Sequence, residues 1–242
     1  MLLGINLTYC ACFGTSLAIF ATHFVYRYLV VIGLKTWTVR SVRNVMFWLI
    51  APLIFGIFWG CTAWYFFSAE PILDRVLKEE ITLHYGVGLE EIAYIGPYFY
   101  LLDENNKEFV NWKAIQGLIV FVAMIATSLT TMTVFGILSY LKIHSVVAKN
   151  TRSANLRSLQ SQLLQALIYQ TIIPLTLMHL PISICFIIPF FDGSKVIFGR
   201  FLTTSIAIYP VLDPLPNMFL IKDYRTAMKK KVMKIPSYFS FS

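Results

Sequence analysis

The chain has 242 residues, of which 57% are hydrophobic and only 13% are charged, and its formal net charge is +8. A soluble domain of this length would have roughly a quarter of its residues charged, and the mean hydropathy of +0.69 reflects long stretches without any charge. The composition excludes an ordinary soluble globular protein and predicts an all-α, polytopic bundle of transmembrane helices.

Five apolar runs are long enough to cross a bilayer, which takes about 20 apolar residues in a helix. In chain order they cover residues 2–32, 45–67, 114–141, 163–191 and 197–221. Together they predict one transmembrane domain, residues 1–221, followed by a basic tail, residues 222–242. The first run lacks the basic start of a signal peptide and is followed by basic residues, which favours a retained span.

The charged residues differ in sign from one connection to the next. Connections 33–44 and 142–162 carry basic residues and no acid, and the tail has six basic residues against one acid. The connection 68–112 has nine acids and three basic residues. Because excess Lys and Arg mark the cytoplasmic side, we expect the N-terminus outside, loop 68–112 extracellular and the tail cytoplasmic. The charge follows membrane sidedness, so the lipid bilayer is an expected partner and nucleic acid is not.

Polar residues inside the spans are candidates for function, because burying them in hydrocarbon is costly. Arg27 lies toward the inner end of the first span, where snorkelling to the interface is the favoured explanation on charge alone. Gln170 and His179 in the fourth span are candidate ligand contacts, although such groups more often bond across a helix interface. Kinks are predicted in that span at its three prolines: Pro174, Pro181 and Pro189.

The sequence contains no pattern typical of an enzyme, a metal site or a cofactor site. A His-Glu-x-x-His pair, a phosphate-binding loop and a Gly-x-Ser-x-Gly turn are all absent, so we expect no catalytic residues, no metal and no cofactor. The four cysteines lie inside apolar runs, and no disulfide framework is predicted. Asn6-Leu7-Thr8 is a glycosylation sequon, but its place at the start of a span makes modification unexpected.

Three stretches resemble the nematode seven-transmembrane chemoreceptors of the Str type, a serpentine family of G-protein-coupled receptors. They are HFVYRYL (23–29), LQSQLLQALIYQTIIP (159–174) and YPVLDPLPNMFLIKDYR (209–225), in the order of the family. The resemblance implies that the five spans correspond to helices three to seven of such a receptor and that the first two helices are missing. The extracellular cysteine pair common in other receptor families has no match in loop 68–112.

The resemblance also implies roles for individual residues. Arg27, in Tyr26-Arg27-Tyr28, matches the cytoplasmic arginine that engages the G protein, with Tyr26 in place of the usual acid. The last stretch matches the Asn/Asp-Pro switch of the seventh helix, where proline loosens the backbone ladder and an acid can bond the freed groups. The residues predicted for that conformational switch are Tyr209, Pro210, Asp213 and Pro214.

By this resemblance the function is that of a chemosensory receptor in the plasma membrane of a sensory neuron. It would detect a small-molecule odorant or other chemical and signal to a heterotrimeric G protein. Two alternatives stay open. Proline-interrupted helices also build substrate sites in transporters and channels, although no internal repeat is found. The chain could also be a receptor fragment that does not signal.

Overall fold

The structure, a computed structural model, is mostly helical. It describes residues 2–34, 41–71, 73–74, 77–78, 81–82, 86, 88, 91–102, 107–149, 162, 165–166, 168–191, 204–205, 207–209, 211–212, 215–220 and 225–226. Within these ranges four helices are long and apolar enough to cross a membrane: Leu2–Val31, Val42–Phe67, Trp112–Ser145 and Ile168–Ile187. They match the first four predicted spans. About half of the fifth, 197–221, lies outside the described residues.

The chain divides into two compact units, which are described separately. The first comprises Met1–Tyr26 and Lys35–Thr131, and the second comprises Arg27–Leu34 and Met132–Ser242. The first and third long helices therefore each contribute residues to both units.

Helix α1 covers Leu2–Val31 and ends in a motif that depends on glycine. Gly33 has a φ of 78°, a left-handed conformation that only a residue without a Cβ adopts readily. The Gly33 N–H donates to the Val30 carbonyl at 3.1 Å, and the Leu34 N–H donates to the Leu29 carbonyl at 3.0 Å. These two bonds satisfy carbonyls of the last turn and stop the helix.

Helix α2 covers Val42–Phe67 and packs against α1 in the first unit. Glycines bring the two helices close together. A Cβ added to Gly14 would lie 2.5 Å from the Cβ of Trp59, and one added to Gly56 would collide with the Thr15 side chain. Such close approach is how helices gain packing contacts in a membrane, where lipid is as apolar as the side chains.

Helix α3 covers Trp112–Lys149. It begins with a side-chain cap, because the Ala114 N–H donates to the Asn111 Oδ1 at 3.2 Å. The helix extends beyond the apolar run 114–141 at both ends, and most of the extra length follows Lys142. An apolar run therefore predicts the part of a helix inside the bilayer, whereas backbone hydrogen bonding continues into the polar flank.

The core of the first unit is aromatic. The Trp59 ring stacks on Phe121 with centroids 4.1 Å apart and planes 12° apart. Phe13 and Phe67 flank this pair, with centroid distances of 5.5 Å to Trp59 and 5.2 Å to Phe121. All four side chains are buried. Offset and tilted aromatic pairs add about 0.5–1.5 kcal/mol each beyond the area they bury, so this cluster holds α1, α2 and α3 together.

The described residues of the connection between α2 and α3, which runs from 68 to 111, form a folded cap. Strand β1 (Tyr100–Leu102) pairs antiparallel with strand β2 (Glu108–Val110). The cap has its own apolar core, made of Leu73, Leu77 and Leu101. The Tyr94 hydroxyl donates to the Asp74 carboxylate beside this core. Burial and that hydrogen bond raise the pKa of Tyr94 well above its usual range.

The cap is tied to the helices at several points. Ser68 bridges to Ile95, and the Gly96 N–H donates to the Phe67 carbonyl at 3.2 Å. The Asn6 Nδ2, on the first turns of α1, donates to the Ala93 carbonyl at 2.8 Å. Asn6, the acceptor residue of the sequon, is therefore engaged in a contact between α1 and the cap.

Asn6→Ala is expected to loosen the cap, because a hydrogen bond of this kind contributes about 0.5–1.5 kcal/mol. Exchange of the Gly96 amide proton should accelerate by about two- to tenfold, measured by hydrogen–deuterium exchange of the protein in nanodiscs. Thr8→Ala is the matched control, since it removes the sequon and leaves the Asn6 amide in place. Equal acceleration in both variants would show that the Asn6 hydrogen bond does not hold the cap to α1.

In the second unit, regular α-helix is interrupted around the prolines of the fourth span. The elements there are a π-helix, Leu175–His179, then α4, Leu180–Ile187, and a 3-10 helix, Ile188–Phe191. The Leu180 N–H donates to the carbonyl of Leu175, five residues back. The ring of Pro181 would clash with the carbonyl four residues before it, and a wider turn relieves that clash. These departures from regular α-helix lie beside the prolines at which the sequence predicted kinks.

A short helix α5, Leu215–Leu220, is described in the fifth run.

Candidate functional site

The clearest polar contact inside the spans joins Arg27 to Gln170. The Arg27 Nη1 donates a hydrogen bond to the Gln170 Oε1, and both residues belong to the second unit. Gln170 is only 6% exposed. In the part of the chain that the structure describes, no carboxylate forms a salt bridge with Arg27. A cation in an apolar span is therefore held by a neutral amide.

The hydrogen bond to Gln170 offsets only part of the free-energy cost of placing the Arg27 charge in an apolar span. A guanidinium has five N–H donors and no acceptor, and one amide oxygen satisfies only part of that capacity. A hydrogen bond to a charged group contributes about 1.5–3 kcal/mol, whereas a charge at the bilayer centre costs about 2.5–3.5 kcal/mol or more. The contact compensates for part of the cost without neutralising the charge. Arg27 is thus held in place and retains donors for another acceptor.

The residues beside Arg27 pack on aromatic neighbours. In the first unit, Tyr26 meets Trp48 of α2 edge-on, with centroids 5.6 Å apart and planes 82° apart. In the second unit, Tyr28 meets Phe135 of α3 at 5.6 Å and 60°. Tyr26 also lines a shallow, mainly apolar groove of about 360 Å³ between α1 and α2. The two tyrosines position the turn that carries Arg27.

His179 lies at the end of the π-helix and is 1% exposed. Its Nδ1 is 3.3 Å from the Pro174 carbonyl oxygen, and the Ser183 hydroxyl donates to the His179 carbonyl at 2.7 Å. Gln170 precedes His179 by nine residues, about 13 Å along a helix axis. The two residues predicted as ligand contacts are thus at different depths in the same span, and Gln170 is engaged with Arg27.

Ser139 is a third buried polar residue of the second unit. It is 0% exposed, and its hydroxyl has no hydrogen-bond partner among the residues that the structure describes. A buried hydroxyl without a partner costs about 1–3 kcal/mol. No sequence pattern singled out Ser139, because a serine within an apolar helix commonly bonds a carbonyl of its own preceding turn.

The predicted switch in the last apolar run is described only in part. Tyr209 is helical and buried. Pro210, Asp213 and Pro214 lie outside the described residues, so their role stays a prediction.

All four cysteines of the chain are free thiols. Over the described ranges, no three His, Cys, Asp or Glu side chains come together in a way that could hold a metal ion.

One further signal in the sequence anticipates the Arg27 contact. Arg27 and Gln170 each lie toward the predicted cytoplasmic end of an apolar span, about five and seven residues from that end. Two polar side chains at similar depths in different spans are candidates to pair, because each is costly to leave alone in hydrocarbon. The sequence placed the two residues in separate roles, and the structure brings them together.

The family model described as "Serpentine type 7TM GPCR chemoreceptor Str" matches residues 1–229. The chain is 31% identical to the Caenorhabditis elegans protein named G-protein coupled receptor str-217, over 93% of this chain and 64% of that relative. It is 30% identical to the Caenorhabditis briggsae protein named Serpentine receptor class r-10, over 92% of this chain and 64% of that relative.

No solved structure matches the chain. The chain spans 64% of the length of the curated relatives that it matches first. Two findings agree that the chain spans a membrane. The described residues contain four helices long and apolar enough to cross it, and the match to the family covers almost the whole chain. The chain is an integral membrane protein and belongs to the serpentine-type seven-transmembrane chemoreceptor family Str.

Proposed function

We propose that the chain acts as a chemosensory G-protein-coupled receptor, which detects a small molecule and signals to a heterotrimeric G protein. Membership of the Str family supports the class of function. The observation that carries the mechanism is the hydrogen bond from Arg27 to Gln170. This hydrogen bond holds Arg27, the residue predicted to contact the G protein. Its acceptor, the Gln170 amide, is neutral, so another acceptor can replace it.

In this proposal the Arg27–Gln170 bond belongs to the resting state. A chemical ligand stabilises a second packing of the helices, to the extent that it binds that packing better than the first. In the second packing Gln170 releases Arg27, and the guanidinium donates to carbonyl or carboxylate oxygens of the G protein. Gln170 then serves the coupling end, and His179 is the remaining candidate for ligand contact.

The proposed topology places the N-terminus and loop 68–112 outside the cell and the tail, residues 222–242, in the cytoplasm. The asymmetry of basic residues supports this orientation. Trp64, Tyr65 and Trp112, which flank the loop, are all exposed in the structure, as aromatic residues at a membrane interface would be. The proposed location is the plasma membrane of a sensory neuron.

Asp213-Pro214 in the last apolar run is proposed as a second conformational switch, in addition to the Arg27–Gln170 bond.

Gln170→Ala tests the proposal directly. Without its acceptor Arg27 is released, and a lost bond of about 1.5–3 kcal/mol shifts the equilibrium about 10- to 100-fold toward the signalling packing. We expect faster ligand-independent GTPγS uptake by a purified heterotrimer added to the chain in nanodiscs. Gln170→Glu should slow basal uptake, because a carboxylate binds Arg27 more strongly.

The matched control is Gln116→Ala, which removes an exposed glutamine from the outer half of α3. It should leave basal uptake at the level of the unmodified chain. Unchanged uptake in both Gln170 variants, with normal amounts of folded protein, would contradict the proposed function.

A further inference from the structure

The hairpin of the cap has two different faces. Tyr100 pairs directly with Val110, and directly opposed residues lie on the same face of a ladder. These two side chains are 50% and 38% exposed. Leu101, on the other face, is buried in the cap core. The hairpin therefore buries Leu101 on one face, although its partner Phe109 is 42% exposed, and leaves the apolar pair Tyr100 and Val110 uncovered on the other.

The uncovered pair lies close to the start of a membrane span. Strand β2 ends at Val110 and α3 begins at Trp112. The Asn111 N–H also donates to the Phe99 carbonyl at 2.9 Å, which extends the strand pairing up to the helix. Two residues reach about 7 Å at most, and the polar interface of one leaflet is roughly 5–8 Å thick. This distance allows Tyr100 and Val110 to reach the level of the headgroups.

The same face changes character with distance from the helix. Glu108 lies on the face of Val110, two residues or about 7 Å further along the strand. Glu108 is exposed. Along strand β2 this face is thus apolar beside the membrane boundary and charged away from it, as expected for a strand that enters the interface at one end only.

Exposed aromatic residues also lie at the ends of the two spans that flank the cap. Trp112 is 70% exposed, and Trp64 and Tyr65, at the end of α2, are 56% and 63% exposed. Lys113 lies over the Tyr65 ring at 5.8 Å and forms a salt bridge with Glu70 of the cap at 2.6 Å. These contacts fix the base of the cap at the level where tryptophan and tyrosine concentrate in membrane proteins.

We propose that Tyr100 and Val110 form a lipid-docking surface, which seats the cap hairpin in the headgroup region of the bilayer. Its partner is the interface of acyl chains and headgroups, which accepts an aromatic ring and an aliphatic side chain and excludes a carboxylate. Docking attaches the cap to the membrane as well as to the helices. The inference goes beyond receptor function and holds whether or not the chain signals.

The test uses p-benzoylphenylalanine, a photoreactive residue that inserts into nearby C–H bonds, in the full chain in phosphatidylcholine nanodiscs. It is placed at position 100, 110, 108 or 107 in separate variants, and lipid adducts are measured by mass spectrometry after irradiation. Position 108 is the matched control, since it shares the face of position 110 and lies further from the membrane. Adduct yield at positions 100 and 110 should exceed that at 108 and 107 about fivefold, given the thickness of the interface.

Hydrogen exchange over residues 91–102 in each variant, compared with the unmodified chain, verifies that the hairpin is intact. Positions 100 and 110 probe the surface from two different strands, so each gives an independent result. Equal lipid adduct at 110 and 108, or adduct to protein alone at both 100 and 110, would overturn the proposal.

Discussion

Arg27→Ala is expected to reduce activation of the G protein to the background measured without receptor. In the proposed mechanism the guanidinium is the group that the Gln170 bond holds and releases. Alanine removes all five of its donors, and no neighbouring residue of α1 carries a replacement charge. GTPγS uptake by a purified heterotrimer, with the chain in nanodiscs, measures the loss.

The double variant Arg27→Ala, Gln170→Ala separates this mechanism from a general loss of structure. Gln170→Ala alone should raise basal uptake, whereas the double variant should be as silent as Arg27→Ala. Effects of residues that act as one unit are not additive, and this order of dominance is expected if Gln170 acts through Arg27 and both variants yield normal amounts of folded protein.

Two further substitutions test whether the geometry and the position of the Arg27 guanidinium are required for activation. Arg27→Lys keeps the charge but loses the planar fork of donors, so it should retain only part of the activity. Lys107→Ala removes an exposed basic residue of the cap and should have no effect on uptake. Full activity of Arg27→Ala at normal surface expression would refute the assigned role.

Gly56→Leu is expected to prevent α1 and α2 from packing. A Cβ at this position would collide with the Thr15 side chain and lie 2.5 Å from the Ala11 carbonyl oxygen. The Thr15 hydroxyl already donates to that carbonyl at 2.8 Å, so both partners are fixed. Overpacking of this kind costs about 1–3 kcal/mol or more, and the larger side chain has no space to occupy.

Gly4→Leu is the matched control, because nothing lies within 4 Å of a Cβ added there. It should be neutral or slightly stabilising, since glycine is a poor helix former by about 1 kcal/mol. Fluorescence-detected size-exclusion chromatography and thermal unfolding in detergent should show a loss of folded protein for Gly56→Leu only. Equal behaviour of the two variants would mean that the close contact between α1 and α2 does not carry the fold.

The glycines illustrate how the sequence under-determines packing. Gly4, Gly14 and Gly56 all lie in apolar helices, and nothing in their local sequence separates them. In the structure, Gly14 and Gly56 are points of close approach and Gly4 faces open space. The difference depends on which side of each helix meets its neighbour, and a helix that is apolar all round does not encode that side in its pattern.

The cap is another feature that the sequence left open. Its acidic character predicted an extracellular loop and gave no sign of internal structure, whereas the structure contains a small core around Leu73 and a paired hairpin. Short strands with few residues have weak sequence signals. Their pairing is favoured here because both ends of the connection are fixed by spans.

By itself, the sequence determined the membrane class, the presence of four long apolar helices and the family. Those properties follow from runs of apolar side chains, from charge between the runs and from short motifs, all of which are local. Only the tertiary structure decided that Arg27 pairs with Gln170, 143 residues away, and that Asn6 pairs with Ala93, 87 residues away. The physical reason is that hydropathy specifies the depth of a residue in the bilayer, whereas its partner depends on the rotation of each helix about its own axis. In a uniformly apolar environment that rotation is set by packing between helices.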